Sequence, residues 1–156
     1  MKNLFYIGIS LFVICLSGCS DEATARSDTP TSRAAASKQL DIPLPPSAHS
    51  VYYFDYAGGL QDLERYIRFD VAPEELDSAV DALVAANNKM MGRALPYSRA
   101  AISTADLPSP RKEFLPMTWW DPSVVGTGYY RGHSDSYALR ILVDQGHSRV
   151  YIHQND

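Results

Sequence analysis

The alternation of apolar and polar residues along the chain predicts two pairs of β-strands. Residues 49–56 (HSVYYFDY) are a β-branched and aromatic run, and residues 63–71 (LERYIRFDV) place apolar side chains on one face and mostly polar ones on the other. Glycines lie in the link between these runs, so we expect an antiparallel hairpin. Residues 137–144 alternate in the same way, and a turn through Gly146 leads to a last strand at 149–153, which predicts a second hairpin.

A helical pattern fills residues 72–92, between the two hairpins. Pro73 suits a first helical position, acidic residues follow it at the positive end of the helix dipole, and Gly92 suits the cap at the other end. The pattern predicts an amphipathic helix with one stripe that faces a sheet. The stripe consists of Leu76, Val80, Leu83, Val84, Asn87 and Met90 or Met91.

These elements follow one another as β-β-α, a long loop, and β-β. The simplest fold for this order is α+β, with a four-stranded, mainly antiparallel sheet packed by one amphipathic helix. The loop at residues 93–137 is long for a compact domain, so we expect it to be functional or pinned by its own aromatic residues. Residues 114–122 (FLPMTWWDP) are the predicted pin.

The start of the chain has the pattern of an export signal. A short, positively charged start precedes an apolar stretch at residues 4–16, which is too short to cross a bilayer as a helix. The following LSGC, residues 16–19, resembles the lipobox of bacterial lipoproteins, in which the chain is cut just before the cysteine. The resemblance implies removal of residues 1–18, a diacylglycerol on the sulfur of Cys19 and an acyl chain on its amine. The alternatives are an ordinary cleaved signal or an uncleaved anchor.

The other cysteine, Cys15, lies in the apolar stretch and would be discarded with it. The mature chain would then contain no disulfide and no cysteine metal ligand. Serine at position 20 permits outer-membrane sorting in lipoproteins of two-membrane bacteria, so we expect a lipid-anchored protein on the periplasmic side of the outer membrane. The outer face of the plasma membrane is the alternative.

Residues 19–47 are predicted to be the lipidated cysteine and a flexible linker, ahead of a single domain at 48–156. The linker is rich in small and polar residues and nearly empty of large apolar ones before Leu40, so it cannot bury enough surface to become ordered. As a flexible chain it would hold the domain roughly 25 Å from the membrane. A short helix over residues 32–40 (SRAAASKQL) is the alternative.

Composition and motifs exclude several function classes. The formal net charge of −4 gives no basic footprint for nucleic acid. His133, Ser134 and Asp135 have the residue types of a catalytic triad, but adjacent residues do not converge as a triad requires. The four histidines lack the spacing of a metal site, and no phosphate, dinucleotide or CxxC motif occurs. We therefore expect no metal, no cofactor and no catalytic residue.

Charged residues on the predicted strands admit two interpretations. Four carboxylates lie on or near the predicted strands, close to arginines in the same sheet, which favours cross-strand ion pairs. Acid–base catalysis by paired carboxylates is the alternative. The residues are Asp55, Glu64, Asp70 and Asp144, with Arg65, Arg68 and Arg140.

Aromatic pairs in the long loop are the candidate contact residues. Trp119 and Trp120 are followed by Tyr129 and Tyr130, and exposed rings of these types offer stacking faces and a polar group to a partner. The alternative is that the tryptophans are buried and fasten the loop to the sheet.

The segments RYIRFDVAPEEL, WWDP and RILVD…RVYIH together resemble a small uncharacterised bacterial domain spanning roughly residues 49–153. That resemblance implies one compact domain and no activity. We expect a non-enzymatic lipoprotein that is bound to the membrane through Cys19 and whose domain binds another macromolecule of the cell envelope, an envelope protein or cell-wall glycan. Its role would be that of an envelope accessory or of an immunity-type protein that neutralises a toxin. The alternatives are a small periplasmic hydrolase using carboxylate and histidine side chains, and a purely structural surface lipoprotein.

Overall fold

A single antiparallel sheet organises the computed structural model, which describes residues 23–40, 42–58, 62–102, 107–133 and 139–155. The α+β class is confirmed, and one main helix packs on the sheet. The expected number of strands was wrong, because the described residues form a sheet of seven strands and not four. The predicted signal peptide at 1–18 and Cys19 lie outside the described residues.

The chain forms two helices and seven strands in the described ranges. The strands are β1 (Ala23–Thr31), β2 (His49–Gly58), β3 (Asp62–Asp70), β4 (Ser98–Ala100), β5 (Gly128–Gly132), β6 (Arg140–Asp144) and β7 (Arg149–Asn155). The helices are α1 (Arg33–Leu40) and α2 (Leu76–Met90), and short 3₁₀ turns occur at Pro73–Glu75, Lys112–Phe114 and Pro122–Val124. Across the sheet the order is β1-β2-β3-β7-β6-β5-β4, and every neighbouring pair is antiparallel.

Both predicted hairpins are confirmed. Strands β2 and β3 pair from Gly58↔Asp62 to His49↔Asp70, and β6 and β7 pair from Asp144↔Arg149 to Arg140↔His153. The turn of the second hairpin has its positive φ at Ser148, at +51°, and not at Gly146. The last strand lies between β3 and β6, so it is a central strand of the sheet.

Three strands come from segments without a predicted strand pattern. Residues of the expected flexible linker form β1, which pairs with β2 along one edge of the sheet. An edge strand is held by backbone hydrogen bonds to one neighbour, so its sequence (ATARSDTPT) needs no apolar alternation. The expected long loop contains β4 and β5, which extend the opposite edge and are only three and five residues long.

The helices form where local signals and burial agree. The short helix that was the alternative for residues 32–40 is present as α1. Ser32 Oγ accepts a hydrogen bond from the Ala35 N–H at 3.2 Å at its start, and Ala36 is fully buried. The α2 stripe is buried from Leu76 to Asn87, and Gly92 ends the turn beyond it with φ of +63°. Met90 departs from the predicted stripe, because its side chain is 63% exposed.

The central strands of the sheet are buried on both faces. The face that packs against α1 and α2, here called the helix face, carries mainly aliphatic side chains such as Val51, Ile67 and Ile152. The other, here called the loop face, is covered by residues 107–125 and carries mainly aromatic side chains. Polar residues that alternate with the helix-face core, Glu64 among them, are therefore buried rather than solvated.

Candidate functional site

A cavity of about 720 Å³ lies on the helix face, beside the last turns of α2. This size falls within the roughly 300–1,000 Å³ of small-molecule sites. Its walls come from α2, from the segment that follows α1, and from the ends of β3 and β7. The described lining residues are Ile42, Pro43, Arg65, Leu83, Ala86, Asn87, Lys89, Met90, Leu139 and Gln154. The lining is mainly apolar, with few polar groups, as in binding pockets generally.

Asn87 gives the cavity a polar group that is incompletely satisfied. It belongs to the buried stripe of α2, and its side chain is only 4% exposed. Its Nδ2 donates to Tyr97 Oη at 2.8 Å, and the same hydroxyl accepts from the Leu139 N–H at 2.9 Å. Asn87 Oδ1 has no hydrogen-bond partner among the residues that the structure describes. If the amide is turned over, its nitrogen is left unpaired instead.

An unpaired buried amide end costs about 1–3 kcal/mol, so most buried polar atoms in proteins have a partner. Here the unpaired end belongs to a residue that lines a cavity. A bound molecule with a hydrogen-bonding group would restore the missing bond.

Charged residues stand in the wall and near the end of α2. Arg65 Nε donates to Asp55 Oδ1 at 2.9 Å, and both side chains are about 15% exposed, so this arginine is held in place by a mostly buried carboxylate. Lys89 is exposed in the last turn of α2, next to the exposed Met90. The cavity therefore combines an aliphatic interior with positive charge beside the end of the helix.

A second polar cluster lies on the loop face and is closed. Glu64 Oε1 accepts from Tyr66 Oη at 2.5 Å and from His153 Nε2 at 2.8 Å, and Arg111 Nη2 lies 3.2 Å from Glu64 Oε2. Arg140 Nη1 lies 3.1 Å from His153 Nδ1. Because a guanidinium only donates, this geometry fits the neutral imidazole with its proton on Nε2.

The ionised form of Glu64 is favoured in this cluster. Burial alone would raise its pKa, but the hydrogen bonds from His153 and Tyr66, together with the Arg111 charge, bring the pKa below its usual value. Burial and the Glu64 carboxylate raise the pKa of Tyr66 strongly. His153 is only 1% exposed and Glu64 only 5% exposed, so neither side chain is accessible to a substrate in this conformation.

The four aromatic residues predicted to contact a partner lie in different parts of the fold. Trp119 and Trp120 are 5% and 6% exposed and fasten the loop to the sheet, which is the alternative stated above. Tyr129 is buried against the helix face and donates to Asp77 Oδ1, with the Arg99 guanidinium 3.5 Å from its ring centre. Tyr130 is half-buried at the margin of the loop-face core. The four rings therefore do not form one exposed surface.

The ion-pair interpretation of the strand charges fits two pairs of cross-strand neighbours. Arg65 pairs with Asp55, and Arg149 pairs with Asp70 at 2.6 Å. Asp144 instead accepts from His147 across a turn.

The remaining predicted polar residues fall into separate places. Arg68 hydrogen bonds to a loop carbonyl, and His49 contacts the backbone oxygen of Ser47. His133 is half-buried beside Tyr97, and Ser134 and Asp135 lie outside the described residues. Within the described ranges no group of three potential metal ligands occurs.

Comparison with protein-family models, curated proteins and solved structures gave no match. In the part of the chain that the structure covers, no helix is long and apolar enough to cross a bilayer.

Proposed function

We propose that this protein is a lipid-anchored, non-enzymatic binding protein of the bacterial cell envelope, with its ligand site in the cavity beside α2. The anchor is Cys19, on the strength of the LSGC sequence after a short apolar stretch. The outer membrane is the expected location, with the domain facing the periplasm. Two or more acyl chains give stable attachment, where a single chain is marginal.

The observation that carries the binding role is the buried Asn87 amide in a largely apolar cavity. Among the described lining residues there is no carboxylate and no histidine, which are the usual groups for acid–base work. The Glu64–His153 pair, which a hydrolase would use, is buried beneath Trp120 and Tyr66 on the other face. The geometry therefore favours retention of a ligand over its chemical conversion.

The placement of the aromatic residues also favours a small-molecule site over a contact surface for a macromolecule. Burial of Trp119 and Trp120 removes the stacking faces that a protein or glycan partner would use. The cavity, by contrast, is concave and has a few polar groups among apolar ones, which is the usual form of a small-molecule site.

Mass spectrometry of the mature amino terminus tests the anchor. Protein extracted from membranes should begin at an acylated Cys19, and a Cys19→Ser chain should not be acylated. A chain that retains residues 1–18, or a wild-type Cys19 without lipid, would contradict the anchor.

Native mass spectrometry tests the ligand site. The lipidated protein, released in mild detergent, should carry a non-covalent ligand. Ala86 lines the cavity and Ala85 is an exposed neighbour, so Ala86→Trp should remove the ligand while the matched Ala85→Trp retains it. Equal occupancy in the two variants, or no ligand in the wild type, would contradict the proposed site.

A further inference from the structure

The cavity lies at the end of the sheet that is next to the predicted anchor. Strand β1 begins at Ala23, four positions after Cys19, and Ala23 pairs with Ala57 at the end of β2. Two residues further along β1, Ala25 begins a row of cross-strand partners that runs across the sheet. The row continues through Asp55 of β2 and Arg65 of β3 to Gln154 of β7. The last two of these residues line the cavity.

These positions limit the distance between the cavity and the bilayer. Four fully extended residues span at most about 14 Å, so a lipid on Cys19 holds the first residue of β1 near the membrane surface. Arg65 lies two strand spacings from Ala25, or about 10 Å across the sheet. The flexible stand-off of roughly 25 Å expected from the linker composition does not apply once residues from Ala23 onward are part of the sheet.

The lining of the cavity matches an amphipathic acidic molecule. Six of the described lining residues are aliphatic or otherwise apolar and suit a hydrocarbon chain: Ile42, Pro43, Leu83, Ala86, Met90 and Leu139. Lys89 lies next to this apolar group and forms no ion pair with any residue of the described ranges. The amide end of Asn87 that has no partner among the described residues is Oδ1, which would accept from a glycerol hydroxyl, and with the amide turned over it is an N–H donor for an ester oxygen.

We infer that the cavity binds an acyl chain of an anionic glycerophospholipid taken from the membrane that holds the anchor. This inference rests on the proposed function and specifies its ligand. The hydrocarbon chain lies among the aliphatic residues, the ester or glycerol region meets Asn87, and the phosphate lies near Lys89. A lysine near an anionic membrane surface contributes about 1 kcal/mol, which supports selection of acidic over zwitterionic lipids.

Photocrosslinking tests the inference on the full lipidated protein. The protein is reconstituted in phosphatidylethanolamine vesicles that contain either phosphatidylglycerol or phosphatidylethanolamine with a diazirine in one acyl chain. Peptide mapping should place the phosphatidylglycerol crosslinks on residues 83–90 of α2 and on Leu139. Crosslinks spread over the protein surface, or equal yields from the two lipids, would overturn the inference.

Two matched pairs of variants sharpen this test. Ala86→Trp should lower crosslinking at the cavity at least fivefold, and Ala85→Trp should leave it unchanged. Lys89→Glu should lower the phosphatidylglycerol yield about fivefold or more, since about 1 kcal/mol corresponds to that factor, and should spare the phosphatidylethanolamine yield. Arg33→Glu makes the same charge change in an exposed residue at the other end of the sheet and should have no such effect.

The two proposals fail in different ways. A co-purified ligand that is not a lipid and that Ala86→Trp removes would overturn the lipid inference and leave the proposed binding function intact. Absence of any ligand in native mass spectrometry, together with no crosslink at the cavity, would overturn both. Because Lys89 is exposed, the Lys89→Glu result stands even if Ala86→Trp fails to fold.

Discussion

The helix face of the sheet is covered by aliphatic side chains that recur at helical spacing, whereas the loop face is covered by aromatic side chains on a segment with little regular structure. On the helix face, Leu83 and Val80 of α2 pack against Ile67 and Ile152 of the sheet. On the loop face, Trp120 meets Tyr66 and Tyr151 edge to face, with ring centres 4.9 and 5.5 Å apart. Both cores exclude water, but the helix face is covered by a regular helix and the loop face by an irregular segment.

The loop segment on this face has little regular backbone hydrogen bonding of its own, and side chains of the sheet donate hydrogen bonds to its carbonyl groups instead. Arg68 Nη1 donates to the Trp119 carbonyl at 2.9 Å, and its guanidinium lies 4.5 Å from the ring centre of Tyr52. Tyr151 Oη donates to the Asp121 carbonyl at 3.3 Å. Edge-to-face aromatic pairs each add about 0.5–1.5 kcal/mol beyond their buried area. An irregular segment can therefore close a core when sheet side chains satisfy its carbonyls.

The largest expected effect is on the loop face. Trp120→Ala should lower the free energy of unfolding by about 3–5 kcal/mol, because it removes a buried indole from between Tyr66 and Tyr151. Urea unfolding measures the loss, and limited proteolysis should show faster cleavage within residues 107–125. Trp120→Phe keeps a ring and removes a buried indole N–H that has no partner in the described part of the chain, so it should cost less. A loss below about 1 kcal/mol for the alanine variant would show that the loop does not depend on this ring.

On the helix face, Leu83→Ala should cost about 2–5 kcal/mol, because Leu83 is 1% exposed and its truncation enlarges a cavity in the core. Urea unfolding gives the free energy, and Ala82→Gly at an exposed helix position controls for backbone effects at about 1 kcal/mol. Hydrogen exchange should show loss of protection throughout α2 and the sheet, without selective opening of residues 107–125. Selective opening of that loop would contradict the separation of the two faces.

Glu64→Gln should cost about 1.5–3 kcal/mol at neutral pH, since it removes the charge from buried hydrogen bonds with His153 and Tyr66. The lowered pKa of Glu64 means that the ionised carboxylate stabilises the folded state. That contribution is complete above the ordinary pKa of about 4.3 and is lost as the pH falls through the lowered value.

Urea unfolding across the acidic range measures this dependence. The wild type should lose stability more steeply than Glu64→Gln below about pH 4.5, so the two curves should converge. Parallel curves over the whole range would contradict the role assigned to the carboxylate. Glu113→Gln, at an exposed position on the same face, should follow the wild-type curve.

The smallest expected effect concerns the link between β1 and the loop. Arg26 Nη2 donates to Asp28 at 2.7 Å and to the Pro116 carbonyl at 2.8 Å, but both charged side chains are well exposed. Arg26→Ala should therefore change the free energy of unfolding by less than about 1 kcal/mol. Urea unfolding at low and high salt checks this, and a loss above about 2 kcal/mol would show that β1 contributes to the loop face.

The helix face was predictable because local spacing determines it. The position of Leu83 on a helical stripe and the alternation around Ile67 are visible in single segments. Strand β1 was not predictable in this way, because an edge strand needs only backbone bonds to β2 and its sequence carries no apolar alternation. The same is true of β4, whose three residues are all exposed.

Only part of the candidate site could be predicted from the sequence. Asn87 was found as a member of the helical stripe, but its partner Tyr97 lies in the segment beyond the helix, and their contact depends on how that segment folds back. A polar residue within an otherwise apolar stripe is the one local signal that marks it. The Glu64–His153 contact joins residues 89 positions apart and follows from the pairing register of β3 with β7.

The central position of β7 has a consequence for how the protein acquires its structure. The sheet consists of β1-β2-β3 on one side and β6-β5-β4 on the other, and among the described strands only β7 pairs with both groups. Within the described ranges β7 is the last strand, and the two groups are joined by its pairing with β3, between residues as far apart in sequence as Glu64 and Asn155. Every other neighbouring pair among the described strands joins strands that are consecutive in the chain, so the β3–β7 pairing is the long-range step that slows assembly of the sheet. A chain shortened before Arg149 would lose the join between the two groups, and would retain two exposed strand edges open to pairing with other chains.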